Sequence, residues 1–111
     1  MIEKIILVYL KGEGFHASME MPENRPAYPF VIIEKTGSSR SNRITTSTLA
    51  IQSYGATLDD AMELNERVKE VMDEAISLPD VTKVTLNSDY NFTDTSTKRY
   101  RYQAVFDITH Y

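Results

Sequence analysis

A stretch of twenty residues, Thr57–Ile76, constrains the fold more than any other part of the chain. Leu58, Ala61, Leu64 or Asn65, Val68, Val71, Met72 and Ala75 recur at helical spacing, and Asp59, Glu63, Glu66, Arg67, Lys69, Glu70, Asp73 and Glu74 fill the other face. A stripe of that width has to lie on a flat apolar surface. Thr57 is placed to cap the first turn, its hydroxyl accepting from the free N–H of Asp60, and the carboxylates of Asp59 and Asp60 suit the positive helix end. Pro79 marks the stop. Full burial of Leu64, Val68, Val71 and Met72 contributes at most about 1.5–3 kcal/mol each, which makes this helix the centre of the core.

The flanking sequence supplies the surface. Phe30-Val31-Ile32-Ile33, between Pro29 and Gly37, predicts a well-covered strand. Ile44–Tyr54, rich in Thr and Ile, predicts its antiparallel partner, with Gly37–Arg43 as a long, polar, basic hairpin loop. Val81–Leu86 predicts a further strand, followed by a second long loop over Ser88–Thr97. In the final run Tyr100, Tyr102, Ala104, Phe106 and Ile108 alternate with Arg101, Gln103, Val105, Asp107 and Thr109, so one face packs and the other is wet. Upstream, Ile2, Ile6, Tyr9 and Leu10 make a helical stripe ending at Gly12, and Phe15–Met21 predicts a short strand. Pro22, Pro26 and Pro29 make Met21–Tyr28 an edge or connecting segment. The expectation is one domain, 1–111, of α+β class in the order α-β-β-β-α-β-β. A mostly antiparallel sheet carries the long amphipathic helix on one face and has no obvious cover on the other.

Composition narrows the chemistry. The absence of cysteine rules out a disulfide framework, a thiolate zinc site and a cysteine nucleophile. A net charge of −4 argues against a protein built to grip a phosphate backbone. Glu3 and Lys4 interrupt the apolar N-terminal run, which does not read as a secretory signal, and no stretch is long enough to span a bilayer. His16 and His110 lack neighbours at metal-ligand spacing, and adjacent Asp59 and Asp60 face different directions on a helix. Ser38, Ser39 and Ser41 beside Arg40 and Arg43 have donors for a phosphate but match no phosphate-loop pattern. No catalytic, metal or cofactor residue is expected. Charge is instead segregated: Asp59–Asp80 holds eight acids and two bases, whereas Lys35–Arg43 and Lys98–Arg101 each hold three bases and no acid. Complementary patches of that kind fix the register of a subunit contact.

Met21–Gly37, with its Pro-containing segment, apolar strand and Thr-Gly turn, resembles the small phage tail-terminator and head–tail joining proteins. Ala50–Ala61 with the Leu64–Val71 helix, and Asn87–Tyr102, resemble that family's strand, long helix and closing hairpin. The likeness covers nearly the whole chain through short, structural motifs, and Gly37 stands single where a pair is common. It implies a structural virion protein that forms a ring, typically hexameric, caps a finished siphophage tail tube, stops its polymerisation and joins it to the head connector. The implied partners are copies of itself, the major tail tube protein and the connector or stopper protein. DNA would pass through the lumen without sequence-specific binding, in a tail or neck assembled in the host bacterial cytoplasm, with no membrane and no cofactor. Loop position and charge single out Arg40, Arg43, Lys98, Arg99 and Arg101 as interface residues, with Asp59, Glu63, Glu66 and Glu70 as their acidic counterpart. Two other classes stay open: a neighbouring head-completion or stopper protein, and a small ligand-binding or enzymatic α+β domain, which requires a pocket with convergent polar groups.

Overall fold

The computed structural model describes residues 2–21 and 28–111. The chain is an α+β fold in which a long helix packs against a five-stranded, mostly antiparallel sheet. Its elements are α1 (Ile2–Gly12), β1 (Ala17–Ser18), β2 (Phe30–Ser41), β3 (Ile44–Gly55), α2 (Leu58–Asp73), β4 (Val81–Asn91) and β5 (Tyr100–His110). Their order across the sheet is β1-β2-β3-β5-β4, and only β1 runs parallel to its neighbour. Met21–Tyr28, expected to be an edge or connecting segment, lies for the most part outside the described residues.

The central helix begins as its sequence dictates. Thr57 is the N-cap and its hydroxyl accepts from Asp60 N at 3.1 Å. Thr57→Ala is expected to cost about 1 kcal/mol, read from urea denaturation, with Thr57→Ser close to wild type. The helix ends at Asp73, short of the expected Ile76, and a 3-10 turn over Ala75–Ser77 leads to Pro79. Ala61, Leu64, Asn65, Val68 and Met72 are buried, whereas Leu58, expected on the inner stripe, is 36% exposed. The inner residues lie over Val31, Ile33, Leu49, Ile51, Ala104, Phe106 and Ile108. At the far end Tyr9 of α1 donates from Oη to Val71 O at 2.6 Å, tying the two helices together. The turn after α1 needs Gly14 at φ 95°, a conformation costly for a side chain.

Two expected loops prove to be strand. Gly37–Ser41 continues β2, pairing from Gly37↔Thr48 to Ser41↔Ile44, and the reversal is a two-residue turn, Asn42–Arg43, with φ 51° and 66°. Both central residues are therefore left-handed, as in the tight hairpin turns whose twist matches that of the flanking strands. Serines that favour loops in isolation are held extended by the Thr-rich partner strand, a tertiary override of propensity. Likewise β4 runs on through Ser88–Asn91, leaving a shorter turn closed by paired bonds between the backbones of Asp94 and Arg99. The expected strand over Phe15–Met21 shrinks to the two residues of β1.

Candidate interaction surfaces

The sheet face turned away from the helices has a cover of its own. Phe30, Ile32 and Tyr54 form a separate buried cluster, with the rings of Phe30 and Tyr54 stacked 4.7 Å apart and Tyr28 stacked on Phe30 at 5.4 Å. The row continues through Arg101, whose guanidinium lies 5.8 Å from the Tyr54 ring and 4.4 Å from that of Phe92; Tyr90 meets Phe92 edge-on at 5.9 Å. A hydrogen-bond relay crosses the same strands. Arg101 Nη1 donates to Tyr54 Oη (2.9 Å), Tyr54 to Gln52 Oε1 (3.2 Å), Gln52 Nε2 to Gln103 Oε1 (3.0 Å), and Gln103 Nε2 to Tyr90 Oη (2.6 Å). Gln52 and Gln103 are each only 9% exposed, so the face that its alternation marked as wet is partly closed by long polar side chains.

The candidate basic residues fall in three settings. Arg40 lies exposed on β2 and Arg43 exposed at the hairpin tip. Lys98, at φ 54°, and Arg99 are exposed on the β4–β5 turn, where Asp94 accepts from Ser96 N and Oγ, bonds that hold its carboxyl below the usual carboxylate range. Arg101 is set apart: besides Tyr54 it bonds Phe92 O through Nε at 2.6 Å, which fastens the end of β4 to β5. Asp59, Glu63, Glu66 and Glu70 are all exposed along the outer side of α2, and Glu66 also pairs with Lys69 at 2.7 Å.

Lys69 ties α2 to β4. Its ammonium reaches Asp89 at 2.8 Å, and Asp89 accepts a second bond from buried Asn65 at 3.1 Å. The hydrogen bond to Asp89, and then that to Glu66, raises the Lys69 pKa above its ordinary 10.5. A folded pKa above the unfolded one means that the contribution is complete below the unfolded value and lost as pH rises through the folded value. Lys69→Met should therefore cost about 1 kcal/mol near neutral pH. The gap between it and wild type should close in strongly alkaline buffer, checked by denaturation at both pH values.

Among the described residues no group of three or more His, Asp or Glu is placed to hold a metal ion. His16 is exposed, while His110 is buried, with Nε2 2.9 Å from the hydroxyl of fully buried Ser47. The serines beside Arg40 lie on an extended strand, so their N–H groups alternate between the two sides and do not converge as a phosphate cradle. A cleft of about 250 Å³ lies between Tyr28–Pro29 and α2, lined also by Ala56, Asp60, Glu63, Leu64 and Arg67. Among the described residues no helix is long and apolar enough to cross a membrane. Compared with protein-family models and with curated proteins, the chain matches none.

Proposed function

We propose that this chain is a structural protein that associates with copies of itself, of the tail-terminator type, forming a ring, typically hexameric, that caps a tail tube, stops its polymerisation and joins it to the head connector. Its partners on this reading are further copies, a tail tube protein and a head connector, in the tail or neck of a virion, and it carries out no covalent step. The observation that carries the reading is the separation of charge. The acidic strip Asp59, Glu63, Glu66 and Glu70 is exposed on α2, while Lys98 and Arg99 are exposed on the β4–β5 turn and Arg40 and Arg43 on the β2–β3 hairpin. Two different surfaces of one subunit that attract each other produce head-to-tail contacts, which close into rings when the rotation per subunit allows. The likeness of Met21–Gly37 and Ala50–Val71 to the tail-terminator family points the same way.

Charge exchange tests it. One variant carries Glu63→Lys and Glu70→Lys, another Lys98→Glu and Arg99→Glu, and native mass spectrometry reads the subunit count. Each variant alone should lose the oligomer, and an equimolar mixture should regain it with the two subunits alternating, because both junctions are then complementary. A wild-type chain that stays monomeric with and without tube protein would end the reading. Reversing Arg40 and Arg43 to Glu should weaken attachment to the tube while leaving the subunit count intact.

A further inference from the structure

We propose that the outer edge of β2 beyond Ile32 receives an extended, acidic strand from a different polypeptide. β1 pairs with β2 only at Val31 and Ile32, so among the described residues no strand borders β2 from Ile33 to Ser41. The direction of the free backbone groups follows from the ladder. Val31 N–H turns outward, to His16 O at 2.8 Å, and outward and inward residues alternate along an antiparallel strand. On the other side of the bulge at Lys35/Gly37, Ser41↔Ile44 closes the two-residue turn as an inward, hydrogen-bonded pair. Counting back from it turns Arg40 and Ser38 outward, and counting forward from Val31 does the same for Ile33 and Lys35.

Natural sheets protect such edges with bulges, prolines or close charges of the wrong kind. The opposite edge, β4, has two register shifts, at Val81/Lys83 and Leu86/Ser88. From Gly37 to Ser41 β2 has none, and its side chains there are small or cationic. Charge identifies the occupant: Lys35, Arg40 and Arg43 with no acid between them call for carboxylates on the incoming strand, since opposite charges across a strand pair stabilise it. A second copy of this chain does not supply them. Of its two open strands, β4 contains one acid, Asp89, already bound by Lys69 and Asn65, and β2 contains one, Glu34, next to Lys35 on a strand that is itself cationic; its other exposed acids lie mainly on α2. The proposal stands apart from the ring, since a monomer presents the same edge.

The probe is a pair of eight-residue peptides alternating Thr with Glu or Thr with Lys, titrated into isotopically labelled full-length chain. The Glu peptide should shift the amide signals of Ser38 and Arg40 and slow their hydrogen exchange; the Lys peptide should not. Ser38→Pro removes an outward N–H without touching the ladder to β3, and should abolish the effect. Arg40→Glu, which leaves the backbone unchanged, should weaken binding about tenfold. Equal response to both peptides, response at β4 instead, no response at millimolar peptide, or protection of these amides by the chain's own concentration would each overturn the proposal. Shifts produced by a short DNA strand and not by the Glu peptide would do so as well.

Discussion

Gly55→Ala is expected to lower stability by about 3 kcal/mol, a fall in melting temperature of roughly 10–20 °C by circular dichroism. Gly55 closes β3, and a Cβ there would sit 2.5 Å from Ala61 N and 2.9 Å from Asp60 C, both backbone atoms of the first turn of α2. No rotamer change relieves a clash with backbone. The helix would have to lift from the sheet at the end where Ala61 and Leu64 are sealed against it. The glycine is required for closeness, not for an unusual φ, so any side chain should fail. A variant within about 0.5 kcal/mol of wild type would mean that the helix is not held this close.

Phe106→Ala is expected to cost about 3–5 kcal/mol, a large share of the roughly 5–15 kcal/mol that holds a domain of this kind together. Phe106 is 1% exposed at the middle of β5, between Leu49 of β3 and Leu86 of β4, and it packs beneath α2. Its removal leaves a cavity on the one surface that both flanking strands and the helix share. Phe106→Leu should recover most of the loss, and equilibrium urea denaturation separates the two. Near-equal stability for alanine and leucine would show that the space collapses freely.

The helix and the strands around it were legible because period and burial agree: the spacing of Ala61, Leu64, Val68 and Met72 leaves one inner side, and Thr57 marks its start. What misled was local composition. Ser38, Ser39 and Ser41 have loop character alone and become strand because Thr45, Thr46 and Ser47 lie beside them, a long-range fact that no window contains. Leu58 fits the helical stripe but falls where the sheet below has ended. For the candidate surfaces, sequence located the charges but not their employment. Arg101 looked like Lys98 and Arg99, and only the fold brings Tyr54 and Phe92 to its guanidinium. Gln52 and Tyr54 share a face of β3 by their spacing, but only the strand pairing brings Gln103 and Tyr90 beside them to make a relay.

That relay has a sense of travel. A guanidinium only donates, so Tyr54 must receive from Arg101 and pass its own proton onward, and every later amide inherits its orientation from that first cation. The sequence of dipoles ends at Tyr90, whose oxygen is taken by Gln103 and whose hydroxyl hydrogen is left for whatever lies beyond β4. Polarity set by a single arginine near the start of β5 is thereby delivered, four hydrogen bonds away, to the edge strand β4.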